Sequence, residues 1–281
     1  MTSIPSGIIC MLLPAALSGF AEAALAQGFM SQNFIPGGDE TFTLNLGGIL
    51  NQFDTTVRLD GNGIRGDKID LEHDGLTTNL SSFDVAATWR FLSRNRLDVE
   101  YFQATRSGSK QLDRTVFIDG KAFPIGFDLA AEAKDKFLLV DYRFSFVKTT
   151  HIEMAGLFGF YGSHYEYNFN ASGSVQGNRQ VVEASASTTV PLPLIGLTLD
   201  WYINPRWKVS GNVEGLKVHI GDVDGSMLVA GVGTEFMLVR NFGIGLAYMY
   251  SDLNVDVSKT NFNGNLGWKM NSLRAFGQLK F

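Results

Sequence analysis

The sequence is almost without cysteine: its 281 residues hold one, Cys10. That residue lies in an uncharged apolar stretch, Ile8 to Leu17, which is followed by Ala24-Leu25-Ala26 before Gln27. A small-x-small triplet after an apolar core is where a secretory signal peptide is cut. Residues 1–26 are therefore expected to leave on export, taking Cys10 with them. A lipid-acceptor cysteine follows small residues after the apolar core, whereas Cys10 follows Ile8-Ile9 within it, so lipidation is not expected. What remains has no disulfide, no thiolate zinc site and no cysteine nucleophile, even in an oxidising periplasm. Met1 to Gly7 also lacks Lys and Arg, unlike an ordinary signal n-region, which puts the start of the reading frame in question. Net charge is small too, −5 for the whole chain, and cleavage removes only the acid Glu22. No bias toward a polyanion follows, and nucleic acid is not an expected partner.

Long apolar runs are missing as well. Beyond the signal none reaches 18 residues, and the nearest approach, Val190 to Leu199, is broken by Pro191 and Pro193. Transmembrane helices are excluded on that ground. What recurs is alternation. Phe83, Val85, Ala87, Trp89 and Phe91 share one phase against Asp84, Ala86, Thr88 and Arg90, and Leu138, Val140, Tyr142, Phe144 and Phe146 repeat it against Asp141, Arg143 and Ser145. Val209 to Val213 does the same against Lys208, Ser210, Asn212 and Glu214. A period of two means strand.

A soluble sandwich also alternates, so three further features decide. The turns come in two sizes: Leu92 to Arg96, Lys148 to His151, Asn204 to Arg206 and Arg240-Asn241 are short, while most others are long and rich in Gly, Asn, Asp and Ser. Aromatics gather beside the short turns (Trp89, Phe91, Phe144, Phe146, Trp201, Trp207, Phe242) and a second set lies toward the other strand ends (Tyr101, Tyr167, Tyr248, Tyr250). Both are marks of a transmembrane barrel. Third, the chain stops inside a strand whose outward set is Leu273, Ala275, Gly277, Leu279 and Phe281. A terminal aromatic in that position resembles the signal by which outer-membrane proteins are recognised by their assembly machinery.

The expected fold is thus all-β: an antiparallel, up-and-down transmembrane β-barrel over 41–281, preceded by a periplasmic segment, 27–40. Strands are expected at 41–52, 80–91, 96–106, 129–147, 151–168, 185–203, 207–219, 226–239, 242–257 and 264–281. That makes ten, with eight as the alternative. Because lipid offers no hydrogen-bond partner to an open sheet edge, the first strand must pair with the last, Thr43 to Ile49 against the strand ending at Phe281. Phe42, Leu44 and Leu46 share one phase while Phe53, Thr55, Val57 and Leu59 share the other, which predicts a bulge near Asn51.

Leu46-Gly47-Gly48 to Asn51-Gln52-Phe53, Arg58-Leu59-Asp60-Gly61-Asn62-Gly63 with Ile69-Asp70-Leu71-Glu72, Trp89-Arg90-Phe91 and Leu199-Asp200-Trp201-Tyr202 resemble a widespread group of small proteobacterial outer-membrane barrels of uncharacterised role. The resemblance spans most of the mature chain. It implies the architecture and an outer-membrane location, and it carries no functional residues.

A ten-stranded barrel is little wider than one filled by its own side chains, so the lumen is expected to be crowded. Its lining is read as eight acids (Asp84, Asp98, Glu100, Asp141, Glu153, Asp200, Glu214, Glu235) and five bases (Arg90, Arg143, Lys208, Arg274, Lys280). Charges in so narrow a space must pair, which predicts a salt-bridged polar core, with a proton or ion path as the alternative.

Catalysis at the rim would draw on four histidines. His151 falls in an inner turn; His73, His164 and His219, the last near Asp222, fall toward the outer end. Ser163 and His164 are adjacent in a strand and must point to opposite faces. His73-Asp74 resembles the His-Asp couple of omptin proteases, which are also ten-stranded, but no second acidic pair matches that family. The first outer loop gathers Asp67, Asp70, Glu72 and Asp74 with Gly61, Gly63 and Gly66, oxygen ligands without EF-hand spacing, read as a solvated loop or one sharing divalent ions with lipopolysaccharide phosphates. It lacks the lysine and helix of a phosphate-binding loop. The stretch Ala171 to Ala184 is read as a polar loop that specifies no ligand. The sequence therefore predicts an integral outer-membrane protein in contact with lipid and lipopolysaccharide, with a structural or surface-interaction role and no cofactor. A narrow solute pore and a rim hydrolase are the alternatives. Oligomeric state is not in the sequence.

Overall fold

The computed structural model describes residues 34–35, 37–73, 79–259 and 262–281. The expected signal, 1–26, lies outside these, as do Asp74 and the start of the 27–40 segment. Thirteen strands follow in order: β1 Phe42–Leu59, β2 Ile69–Asp70, β3 Asn79–Leu92, β4 Asn95–Gln111, β5 Val116–Ile118, β6 Lys121–Phe123, β7 Asp128–Lys148, β8 Ile152–Val175, β9 Asn178–Asn204, β10 Trp207–Ile220, β11 Val223–Met237, β12 Phe242–Lys259 and β13 Phe262–Lys280. Ten of them form one antiparallel ring in the order β1-β3-β4-β7-β8-β9-β10-β11-β12-β13, closed by pairing of β13 with β1. β2 adds two residues beside β1, and β5-β6 is a separate small hairpin.

The closure is the predicted one. Thr43 pairs with Lys280 and Ile49 with Arg274, and the register continues without interruption to Leu59 opposite Gly264. No bulge occurs near Asn51. Odd-numbered residues face the interior along the whole of β1, from buried Thr43 through Asn51, Phe53 and Val57 to Leu59. The apolar residues change phase because the interior changes chemistry half-way up. Near the termini the wall is apolar outside and polar inside; farther up, the inside is apolar.

That change divides the barrel. The end carrying the chain ends and the short turns is called inner here, the other outer. Around the inner half runs an outward belt of Phe83, Trp89, Phe144, Trp201, Trp207 and Leu273, each about half exposed. So much contiguous apolar surface suits lipid and not water. A membrane crossing takes about 9–11 tilted residues, whereas β8 runs for 24 and β9 for 27. The excess projects beyond the belt at the outer end. Residues 171–184, read as a loop, belong to this extension: Ser172 pairs with Val181 and Val175 with Asn178 around a tight Gln176-Gly177 turn in the left-handed region. Polar composition was mistaken for irregularity because strands outside the membrane need no apolar outer face.

The projecting half encloses an apolar core built from Phe53, Phe102, Phe137, Tyr161, Tyr165 and Trp268, all at most 3% exposed. Phe102 and Phe137 stack at 4.5 Å between centroids, and Trp268 Nε1 donates to Tyr165 Oη at 2.9 Å. Tyr167, expected in the outer girdle, instead stacks inside on Tyr165 at 6.3 Å. It shares the inward phase of Tyr161 and Tyr165. Tyr101 and Tyr248 do face outward. The first two outer connections cap the core: Ile69 and Leu71 enter it from one, Ile118 and Phe123 from the other, joined by the hydrogen bond Asp67 N to Phe117 O. Pro191 and Pro193 fall where β9 has parted from β10, whose pairing ends at Ile195–Gly215, so their missing N–H groups break no bond on that edge.

Candidate functional site: the barrel interior

Strand parity selects the residues that enter the inner half of the lumen, and all thirteen predicted charges do. Arg90 donates both terminal nitrogens to the two oxygens of Glu153 at 2.9 Å, and Ser145 Oγ donates to the same carboxylate. Arg143 Nε lies 2.8 Å from Asp98, which also accepts from Thr88 Oγ1 at 2.5 Å. Lys208 pairs with Glu235 at 2.7 Å, and Lys280 reaches the other oxygen of that carboxylate at 3.4 Å. Arg274 meets Asp84, and its guanidinium lies over the Phe276 ring. Asp200 pairs with a base that the sequence reading missed, Arg96, at 2.8 Å. Glu100, Asp141 and Glu214 are brought to the same lumen and form no ion pair among the described residues; Glu214 accepts from Asn212 Nδ2 at 2.7 Å.

The inner mouth is covered by the segment before β1. Glu40 is buried there, Gly37 rests against the Tyr202 ring, and Lys148 Nζ donates to Gly38 O at 2.8 Å. The 27–40 segment, expected to be merely periplasmic, thus partly closes the barrel in its described portion.

A second charged group, unforeseen, sits within the outer apolar core. Arg106, about 98% buried, donates through Nη1 to Thr55 Oγ1 at 3.0 Å and to Glu72 at 2.5 Å, and through Nη2 to Asp135 at 3.1 Å. Its guanidinium lies 4.1 Å from the Phe53 ring centroid. Glu72 also accepts from Thr55 N at 2.6 Å, which ties the first outer loop to β1. Burial pushes the Asp135 carboxyl up to about 6, against the opposing pull of Arg106. Arg106 shares the inward parity of Phe102 and Ala104, and that was the signal available to find it.

The histidines are scattered. Ser163 Oγ turns inside to Val190 O at 3.3 Å while His164 faces out between Thr189 Oγ1 at 2.8 Å and Glu166 at 3.0 Å, so the two do diverge. His219 pairs across β10–β11 with Asp224 at 2.6 Å, not with Asp222. His73 is exposed and His151 occupies its inner turn. Of the acidic residues of the first loop, Asp67 turns away to accept from Phe117 N, whereas Asp70 and Glu72 stay together with Asp54, a carboxylate oxygen of each within 4.8 Å of the others, while Glu72 also reaches Arg106.

No family model and no curated protein sequence matches the chain. Solved structures do. The outer membrane protease OmpT from Escherichia coli superposes with a TM-score of 0.56 at 9% identity, covering 89% of this chain and 99% of that one. The fold is that of a Gram-negative outer-membrane β-barrel. Two further similar chains are Ail, the attachment invasion locus protein of Yersinia pestis (12% identity, 86% of this chain and 99% of that one, TM-score 0.31), and the translocator domain of the autotransporter NalP from Neisseria meningitidis (13%, 95% and 96%, TM-score 0.39). At such identities the likeness concerns architecture alone.

Proposed function

We propose that this chain is an integral outer-membrane barrel that acts through its outer surface, in envelope structure or surface interaction, and catalyses nothing. One observation carries the reading: the outer half of the interior is filled by an apolar core whose members Phe137, Tyr165 and Trp268 are at most 3% exposed. Solute would have to displace that core, so the polar lumen beneath it serves as a braced foundation and the projecting strands as a rigid platform. The outward belt supports lipid and lipopolysaccharide as its surroundings. The dispersal of His73, His164 and His219 supports the non-catalytic part: among the described residues His73 and His219 meet no hydroxyl, and His164, which meets both Thr189 Oγ1 and the Glu166 carboxylate, does so on the outward face of the wall.

Planar-bilayer recording of the purified barrel tests the reading. The expected result is no discrete conductance; reproducible unitary steps would overturn it in favour of a narrow pore. For catalysis, strains carrying His164→Ala and His219→Ala are expected to keep unaltered lipid A and phospholipid profiles, and a changed profile in either would favour a rim hydrolase.

A further inference from the structure

The inner half of the lumen holds a cavity of about 230 Å³. The bases on its wall are committed: Arg96 to Asp200, Arg143 to Asp98, Lys208 and Lys280 to Glu235, Arg274 to Asp84. Glu100, Asp141 and Glu214 on the same wall form no ion pair among the described residues; Arg143, the base nearest to them, is held by Asp98. A surplus of negative charge enclosed by a barrel wall is strongly unfavourable unless something positive joins it.

Two of the three converge. Asp141 pairs in register with Gly159, and its carboxylate lies over that glycine, where an added Cβ would come within 2.0 Å of Oδ1. Glu214 pairs with Gly196 and covers it likewise, its Cγ 2.6 Å from where a Cβ would stand. The β8–β9 register sets Gly159 opposite Leu194 and Gly196 opposite Leu157, so the glycines are diagonal neighbours. The carboxylates therefore reach toward each other from β7 and β10 across a floor without side chains. Beside them Thr198, two residues along β9 on the same face, is about 96% buried and its Oγ1 has no hydrogen-bond partner. Gln278 Oε1, on the same cavity wall, is unpartnered too.

We propose that this cavity is a cation site, in which a divalent ion lies between Asp141 and Glu214 with Thr198 Oγ1 as a neutral donor and water completing the shell. Every available donor is oxygen, the set that hard cations take. The donors come from three rigid strands at unequal reach, which suits the irregular shell of Ca²⁺ better than the octahedron of Mg²⁺. The site is independent of any role at the outer surface.

The test refolds the full barrel into detergent at pH 7.5 with EDTA, Ca²⁺ or Mg²⁺ and follows thermal unfolding. Ca²⁺ is expected to raise the transition saturably by roughly 5 °C, and Mg²⁺ by less. The double variant Asp141→Asn/Glu214→Gln should fold in EDTA and lose the response. Glu214→Gln alone, which keeps one carboxylate, should need several-fold more Ca²⁺ and supplies the test if the double variant does not fold. Asp54→Asn/Asp70→Asn, which removes surface acids, should respond like the parent chain. A parent indifferent to Ca²⁺, a response that survives in the interior variants, or one abolished by the surface variant would overturn the proposal. So would a rise in EDTA on lowering the pH with no effect of Ca²⁺ at pH 7.5, because protons would then be the counter-ions.

Discussion

Arg90 and Glu153 meet across the inner mouth, 63 residues apart in sequence, with two parallel N–H···O bonds of 2.9 Å and almost no exposure. Such a pair contributes little beyond what an apolar pair of the same volume would, but it is costly to break. Arg90→Ala leaves Glu153 buried with Ser145 and Tyr202 as its hydrogen-bonding neighbours and the Arg96 charge, already paired with Asp200, nearby. The expected loss is about 3–5 kcal/mol, read as a lower temperature at which the folded band of the barrel converts to the unfolded one on electrophoresis. The double change Arg90→Met/Glu153→Leu should restore most of it, and a double variant as unstable as the single one would show that the charges themselves are needed.

Barrel closure rests on a close fit at the β12–β13–β1 seam. The Phe276 ring projects inward and lies on the bare backbone of Gly245, where a Cβ would stand 2.2 Å from the ring; at Gly47 the gap to Phe276 Cβ is 3.0 Å. Gly245→Val should therefore overpack the seam and cost about 1–3 kcal/mol. Phe276→Ala in the same chain should recover folding yield by making the missing room. Failure of that rescue in a refolding assay would place the constraint elsewhere than in the ring.

Strand alternation made the ring readable from residues alone, since Phe83 to Phe91 and Leu138 to Phe146 carry contrast on both faces and the terminal strand fixes its own partner. The reading failed where contrast reverses. β1 shifts from Leu44 and Leu46 outside to Phe53 and Val57 inside with no change of register, so a change of environment looked like a bulge. Arg96 and Arg106 were passed over for the same kind of reason. One opens a strand beside a turn, and the other lies where the opposite, outward face turns polar at Thr105, Ser107 and Ser109, so that the alternation loses its contrast. Which acids would lack a base, Glu100, Asp141 and Glu214, depends on side-chain reach across the barrel, and nothing in a one-dimensional pattern encodes that.

Asp135 makes stability depend on pH in a direction opposite to that of most carboxylates. Its folded value is raised by burial to about 6 from an ordinary 3.8, so the folded state holds its proton more tightly than the unfolded state does. The contribution is fully present below about pH 4 and is lost as pH rises through about 6, amounting to about 3 kcal/mol. Asp135→Asn, which cannot titrate, should remove this component. The difference in unfolding temperature between variant and parent should then change sharply between pH 4 and 7 and little above 7; a difference constant across that range would mean that Asp135 is ionised throughout.

The structural part played by Phe281 and the recognition role proposed for it can be separated by one substitution. Its backbone helps to finish the barrel: Phe281 N donates to Phe42 O at 2.8 Å, and Phe281 O accepts from Thr41 N at 2.7 Å and Phe42 N at 3.1 Å. Its ring, 58% exposed on the outer wall with its centroid 6.5 Å from that of Phe42, adds little packing. Phe281→Ala keeps every backbone bond, so purified protein refolded into detergent should unfold within about 1 kcal/mol of the parent, as surface changes do. In cells the same variant should reach the membrane fraction in much smaller amount, because the terminal aromatic is the feature proposed for recognition by the assembly machinery. Equal loss in both settings would instead make the ring a structural element, and equal recovery in both would remove it from assembly altogether.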